Sequence, residues 1–278
     1  MDLATKNVKI GRQDIAALQQ LGSADKQLAA LKDRNTGGRC VIIACGPSLM
    51  EYSPEALTDL LKDETVIAIK QAFAYAPTIM DYLLLNTWNY QKYDFSEHRP
   101  LIMYERAAAD PQVFGEQDIL LNIPRPSELS QQLARAKNFD SYTFDAQTDR
   151  PWGPGVLYEL GFYLGVHLGV KEIVTLGWDV GVKNTTVMPH FYDRPDPRKT
   201  RILAQSQNIT GRDERNRFLH DNGVLYNKPR IIPDEVDACA AVSGDWYDWL
   251  LSKGIDLKVV SRASLVDKKI PRIRLEDL

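Results

Sequence analysis

Short apolar runs alternate with amphipathic or polar stretches along the chain. The runs at 41–45, 65–69 and 172–176 are rich in branched aliphatic residues, which is typical of strands buried on both faces of a sheet. Further runs of this kind lie at 82–86, 101–104, 119–121 and 257–261. Because helical or loop material separates most of these runs, the pattern predicts an α/β fold with a mostly parallel sheet and helices on both faces.

Helices are predicted between these strands. Residues 11–34 carry leucine and isoleucine at helical spacing, and Ser53 with Pro54 has the form of an N-cap followed by the first position of a helix. Helices are further predicted at 53–62, 155–169 and 234–252, with a short one near 128–136.

Residues 181–233 differ from the rest of the chain. They show weak periodicity and many Pro, Asn, Asp and Arg residues, and the part from 194 to 230 holds nine basic and four acidic residues. A long irregular segment inside a compact domain is usually a functional lid or is disordered. We expect a basic lid above an anionic ligand, and a solvated charged insertion is the alternative.

Composition narrows the classes of function. Of the 278 residues, 44% are hydrophobic and the net charge is −3, so the chain is an ordinary globular protein and not a general nucleic-acid binder. Three cysteines without a C-x-x-C pair predict reduced thiols and no zinc site. Neither an apolar leader nor a membrane-spanning run is present in the sequence, so we expect a cytoplasmic protein.

The end of the chain is basic. Residues 262–274 contain five basic residues and one acid. We expect a solvated surface tail, and the functional alternative is a weak electrostatic anchor at the inner face of an anionic membrane.

Two turns follow predicted buried strands and carry polar or glycine residues. The segment 40–49 ends its strand in Gly46-Pro47-Ser48, where backbone N–H groups at the carboxyl edge of a parallel sheet could hold a phosphate. Gly46 would allow close approach of the ligand, although a plain tight turn is equally compatible with this pattern. Asp179 follows the strand at 172–176 and is placed to accept hydrogen bonds from ribose hydroxyls or a base.

His190 and Tyr192 lie in a polar and aromatic segment shortly after Asp179. His190 could act as a general acid or base near neutral pH, and Tyr192 could donate to a departing phosphate, with a structural aromatic cluster as the alternative. His167 lies inside an apolar predicted helix and is interpreted as a satisfied core histidine. The acids at 234–237 open the last helix, where helix capping is the usual role and a catalytic base the functional one.

The Gly-Pro-Ser-Leu turn at 46–49, together with Gly155-Val156 and the segment 168–179, resembles the bacterial sialyltransferases of glycosyltransferase family 42. It is also similar to the broader group called domain of unknown function 115, which includes flagellin glycosylation proteins and an archaeal pterin diphosphokinase. The resemblance covers roughly residues 40–90 and 150–261.

By position, the resemblance implies a set of donor-nucleotide-binding residues: Cys45, Gly46, Ser48, Lys70, Asn86, Gly155, Gly177 and Asp179. Cys45 and Lys70 stand where the family has asparagines, and a lysine there could touch phosphate directly. Gly153-Pro154 replaces a Thr-Ser pair, so two hydroxyl contacts to the donor are missing. His190 falls near a family tyrosine that helps the phosphate to leave, and Tyr192 is two residues away. The family's base histidine is absent, and the same region offers Asp237 or Glu235.

The resemblance implies an inverting, metal-independent glycosyltransferase that uses a nucleotide-activated sugar, with a CMP-linked sugar as the candidate donor. We expect no cofactor; the partners are then a nucleotide sugar and a glycan or lipid-linked acceptor, with no nucleic acid, and homo-oligomer formation is left open. The alternatives are a diphosphokinase of the 6-hydroxymethylpterin type, which would need magnesium and ATP, and a catalytically inactive nucleotide-binding protein.

These patterns divide the chain into four parts. Residues 1–38 form an N-terminal helical extension, and 39–180 form a Rossmann-like nucleotide-binding core. Residues 181–233 form a lid or acceptor-binding insertion. Residues 234–278 supply a helix and a strand that complete the core, followed by the basic tail.

Overall fold

The structure is a computed structural model that describes residues 7–86, 92–107, 115–123, 138–146, 155–180, 190–192, 196–224 and 233–278. For residues 107, 123, 212–213 and 233–238 it describes the backbone alone. The short helix predicted near 128–136 and the Gly153-Pro154 pair lie outside these ranges.

The described strands form one parallel sheet. They are β1 (Arg39–Ile43), β2 (Thr65–Ile69), β3 (Tyr82–Asn86), β4 (Leu101–Ala107), β5 (Ile119–Ile123), β6 (Glu172–Leu176) and β7 (Asp256–Val259). Their order in the sheet is β5-β4-β3-β2-β1-β6-β7, and every neighbouring pair is parallel. The predicted α/β fold is therefore confirmed, and each predicted apolar run overlaps a strand.

The described helices are α1 (Arg12–Gln20), α2 (Ala24–Leu31), α3 (Pro54–Leu61), α4 (Phe162–His167), α5 (Pro197–Ser206), α6 (Arg212–Asp221) and α7 (Pro233–Ser252). The prediction of one helix over 11–34 was wrong, because the chain turns after α1 and the Ser23 hydroxyl caps α2 by accepting from the Lys26 N–H. A π turn (Leu157–Gly161) precedes α4. Within the described residues, no helix is long and apolar enough to cross a bilayer.

Side chains of the strands alternate between two apolar layers. In β1, Cys40 and Ile42 face the layer that contains α1, α2, α4 and α7, whereas Val41 and Ile43 face the layer that contains α3. Both layers are fully buried at β1. This two-sided burial is the reason that the central strands read as continuous apolar runs.

The prediction of irregular structure for the insertion was wrong over residues 196–224, which contain α5 and α6. Ile202, Leu219 and Val224 form a small apolar cluster of their own between these helices. Asp196 caps α5 by accepting from two backbone N–H groups. The abundance of charged residues concealed this weak apolar spacing, because each helix buries only a narrow stripe.

The basic segment 262–274 keeps most of its basic side chains exposed, as predicted, but its backbone and apolar residues are docked on the protein. Arg272 forms a parallel bridge with Val259, and Ile270 and Leu275 are at most 1% exposed. The guanidinium of Arg272 donates to several backbone carbonyls, including that of Val266 at 2.8 Å. Burial of apolar residues spaced along this segment holds it on the protein, and membrane contact stays a prediction.

The order of the strands creates a switch point in the sheet. The chain passes from β1 to β2, β3, β4 and β5 on one side, and β6 and β7 then lie on the other side of β1. In open α/β sheets, ligands bind outside the carboxyl ends of the strands at such a point. The loops that follow β1 and β6 therefore define where a site is expected.

Candidate functional site

The loops after β1 and β6 pack directly against each other. The Gly46 N–H donates to the Gly177 carbonyl at 2.8 Å. A Cβ atom on Gly46 would overlap the Asp179 carboxylate and lie 2.5 Å from the Gly177 oxygen. Gly46 has an ordinary φ of −67°, so this position needs glycine for space. The sequence predicted that a ligand would approach Gly46 closely, but in the structure the groups that do so are Asp179 and Gly177 of the chain itself.

Asp179 joins the two loops through its carboxylate. Its Oδ2 accepts from the Ser48 N–H at 2.7 Å, and its Oδ1 accepts from the Ser48 hydroxyl at 2.8 Å. The hydroxyl of Ser261, which follows β7, also donates to Oδ1. Asp179 remains partly exposed, so a ligand can still reach it, and its contact with a nucleoside stays a prediction.

The backbone N–H groups of the turn after β1 have acceptors within the chain. Those of Gly46 and Ser48 bond as described, the N–H of Leu49 donates to the Gly46 carbonyl at 3.2 Å, and Pro47 has none. In these residues the predicted phosphate loop offers no open amide. A phosphate at this turn would have to replace Asp179, or be held by groups from neighbouring strands.

The end of β2 contributes Lys70 and Gln71. Lys70 has a φ of +48°, a left-handed conformation that is uncommon for a residue other than glycine. Gln71 is 1% exposed, and its Nε2 donates to none of the described residues. Its Oε1 lies 3.8 Å from the Cys45 Sγ, which also contacts the Ile69 carbonyl at 3.2 Å. The sequence analysis missed Gln71, although a polar residue directly after a buried strand was a signal.

The segment His190–Tyr192 lies at the end of β1. The Phe191 N–H donates to the Cys45 carbonyl at 2.9 Å, and the Phe191 ring packs edge-on against Tyr75 at 5.4 Å. His190 stacks on Tyr192 with 4.8 Å between ring centroids and an interplanar angle of 11°. The structure thus brings these two predicted catalytic residues beside the predicted donor loop.

Lys199 holds this segment from the first turn of α5. Its Nζ donates to the Tyr192 carbonyl at 3.0 Å and lies 5.3 Å from the centroid of the Tyr192 ring. A cation at this distance from a ring is attracted by the ring's quadrupole. Lys199 therefore couples the basic helices to the site, a role that the sequence analysis did not assign.

Other predicted residues share the carboxyl edge. Asn86 is the last residue of β3 and is 4% exposed. Gly155 precedes the π turn that leads into α4. Because α4 ends near the start of β6, at the amino edge, its other end and Gly155 lie at the carboxyl edge. The Tyr158 hydroxyl donates to the Cys239 carbonyl at 2.9 Å, which links that turn to the beginning of α7.

Asp237 and Glu235 lie in the first turns of α7, and their side chains are outside the described part of the chain. Their role as base stays a prediction. His167 is 6% exposed with its Nε2 2.7 Å from the Leu28 carbonyl, which confirms its interpretation as a core histidine. In the described ranges no cluster of three or more His, Cys, Asp or Glu residues could hold a metal ion.

Comparisons with known proteins return structural similarity alone. No protein-family model matches the chain, and no curated protein matches it. Among solved structures, the sialyltransferase CstII from Campylobacter jejuni, in complex with the substrate analogue cytidine-5′-monophosphate, is 14% identical with a TM-score of 0.43; the alignment covers 87% of each chain. The MAf glycosyltransferase from Magnetospirillum magneticum AMB-1 is 16% identical with a TM-score of 0.34, over 60% of this chain and 29% of that one.

Proposed function

We propose that the chain is a glycosyltransferase that binds a nucleotide-activated sugar at the carboxyl edge of the sheet, beside the switch point between β1 and β6. One observation carries this proposal. The turn at Gly46–Ser48, the turn at Gly177–Asp179 and the segment His190–Tyr192 come from separate parts of the sequence and converge at that edge. The identity of the site as a sugar-nucleotide site rests on the motif resemblance.

Two features of the second strand end support a ligand at this edge. Gln71 Nε2 is a buried amide donor without a partner among the described residues, and such a donor costs about 1–3 kcal/mol unless an acceptor is supplied, for example by a ligand or water. Lys70 has a left-handed conformation, which is strained for a residue other than glycine. Such strained residues cluster at ligand-binding sites, where the surrounding structure holds them in place. Both features lie next to Cys45.

In the proposed reaction, one group of residues activates the acceptor and another stabilises the departing nucleotide. Asp237 or Glu235 takes the proton of the acceptor hydroxyl, whose oxygen attacks the anomeric carbon from the face opposite the departing nucleotide phosphate. Inversion of configuration follows from that direct displacement. Lys70, His190 and Tyr192 stabilise the charge that develops on the phosphate, as preorganised donors do in other transferases, without a metal ion. Asp179 holds the nucleoside.

A thermal-shift panel of CMP, UDP, GDP and ATP, each with and without magnesium, tests the nucleotide. A rise in melting temperature with CMP that does not depend on magnesium is the expected result. A response to ATP alone that requires magnesium would favour the diphosphokinase instead. If none of the four nucleotides binds, both enzymatic hypotheses fail for these donors.

Donor hydrolysis across a panel of nucleotide sugars tests the reaction. His190→Ala is expected to lower hydrolysis by about 10²-fold or more, which is the usual loss for a general acid or a proton donor. His220→Ala is the matched control, because His220 lies on α6 and contacts the neighbouring Asp221. Binding of a nucleotide without turnover of any sugar donor would leave the inactive nucleotide-binding protein as the explanation.

A further inference from the structure

Ser261 is a buried serine beside the loop that carries Asp179. It has no exposed surface, and it follows β7, the strand next to β6. Its hydroxyl donates to the Asp179 carboxylate, and hydrogen bonds to an ionised acceptor are roughly twice as strong as neutral ones. We infer that Ser261 is a positioning residue that fixes the Asp179 carboxylate and, through it, the turn after β1.

The acceptor geometry of Asp179 shows what Ser261 adds. Oδ1 receives the hydroxyls of Ser48 and Ser261, while Oδ2 receives the Ser48 N–H from the described residues. A carboxylate offers roughly four acceptor positions, so Oδ2 keeps one position for a ligand hydroxyl. Without Ser261, both remaining contacts come from one residue, and the carboxylate can turn with that residue.

The segment that follows β7 holds Ser261 in place. The Val260 N–H donates to the Thr175 carbonyl at 2.9 Å, and the Leu265 N–H donates to the Val180 carbonyl at 2.8 Å. Ser261 therefore sits between two backbone contacts to the strand and turn that contain Asp179. Because its hydroxyl is already placed, little side-chain entropy is lost when it binds the carboxylate.

The first test needs no ligand. Ser261→Ala is expected to raise the hydrogen-exchange rate of the Ser48 amide by about tenfold, since that N–H donates to Asp179 and depends on its orientation. Ser206→Ala is the matched control: Ser206 is 4% exposed and its hydroxyl donates to the Leu203 carbonyl at 2.7 Å within α5, a helix outside the segment that follows β7. An unchanged Ser48 exchange rate in Ser261→Ala, or an equal change in both variants, would overturn the inference.

The second test rests on the proposed function and measures the dissociation constant of CMP. Ser261→Ala is expected to weaken binding about tenfold in the natural background and less than about twofold when Asp179→Ala is also present. Equal weakening in both backgrounds would show that Ser261 does not act through Asp179. Ser261→Cys, similar in shape with a weaker donor, is expected to give an intermediate loss.

The two tests separate two kinds of failure. If CMP does not bind the natural protein, the proposed function fails for that nucleotide, and the Ser48 exchange rate alone decides the role of Ser261. If CMP binds while Ser261→Ala leaves both the affinity and the exchange rate unchanged, the positioning role fails and the proposed function stands.

Discussion

The amino and carboxyl edges of the sheet differ in how their polar side chains are paired. At the amino edge, Glu172 pairs with both Arg39 and Lys258, and Asp81 pairs with Lys9. At the carboxyl edge, Gln71 is a buried side chain with an amide that has no partner among the described residues. The contrast is between these charged pairs and the Gln71 amide; the buried Tyr82 hydroxyl at the amino edge also has no partner among the described residues.

We therefore expect changes at the amino edge to affect mainly stability and changes at the carboxyl edge to affect mainly ligand binding. The charged pairs at the amino edge each contain a buried or partly buried carboxylate, so removal of either partner is expected to lower the free energy of unfolding. At the carboxyl edge Lys70 is strained and the Gln71 amide has no partner among the described residues, so some changes there are expected to raise this free energy while weakening ligand binding. The following predictions test that contrast.

The largest effect is expected for Gly46→Ala. The new methyl group would overlap the Asp179 carboxylate and the Gly177 carbonyl, and forced overpacking of this kind costs about 2–3 kcal/mol in unfolding free energy. Urea unfolding measures that loss, and nucleotide binding should fall with it.

Gly211→Ala is the control for this substitution. Gly211 has an ordinary φ of −72°, and the nearest atom to its added Cβ would be 3.4 Å away. A change within about 0.5 kcal/mol is expected there. Equal effects of the two substitutions would contradict the close packing of the two loops.

At the amino edge, Glu172→Gln is expected to lower the unfolding free energy at neutral pH by on the order of 1 kcal/mol without changing nucleotide binding. Burial raises the pKa of Glu172, but hydrogen bonds from Lys258 and Arg39 outweigh it and hold that pKa below the usual 4.5. A lowered pKa means that the stabilisation is present above pH 4.5 and is lost as the pH falls through the folded-state pKa.

Urea unfolding of both proteins between pH 3 and pH 7 measures this dependence. The difference between Glu172→Gln and the natural protein should shrink at the acid end of the series. A difference that stays constant with pH would argue against the ionised Glu172 as its source.

Gln71→Met is expected to raise the unfolding free energy of the ligand-free protein by about 1 kcal/mol, because it removes an unsatisfied buried amide and keeps the volume similar. Nucleotide binding should weaken in the same variant. Thermal unfolding and titration calorimetry measure the two changes.

Gln27→Met gives the amino-edge counterpart. Gln27 is also buried, but its Nε2 donates to the Leu18 carbonyl at 3.2 Å and to the Asp118 carbonyl at 3.1 Å. This substitution should therefore be destabilising. Loss of stability in both variants would remove the distinction between the edges.

The smallest effect is expected for Lys199→Met. Loss of its bond to the Tyr192 carbonyl should lower turnover of a nucleotide sugar by about threefold to tenfold, with little change in melting temperature. Arg198→Met is the control, since its guanidinium donates to the Asn222 carbonyl within the pair α5 and α6. Equal losses of turnover would mean that Lys199 acts through the helices in general.

Much of the sheet could be predicted from local pattern. Apolar runs identified β1 to β7, and Ser53 with Pro54 marked the start of α3, because burial on two faces and helix capping both leave local signals. The site was harder to predict. Gly46 and Asp179 were selected as ligand groups, yet their contact with each other depends on residues far apart in the sequence. The roles of Gln71 and Ser261 depend on neighbours that no local pattern contains.

The amino-acid sequence alone determined which segments are strands, that the strands are parallel, and which turns carry the polar residues at their ends. Only the tertiary structure decided which of those polar groups bond to one another and which, such as the Gln71 amide, have no partner among the described residues. The physical reason is range: strand and cap preferences act over a few neighbouring residues, whereas the partner of a carboxylate such as Asp179 is set by loops 131 and 82 positions away.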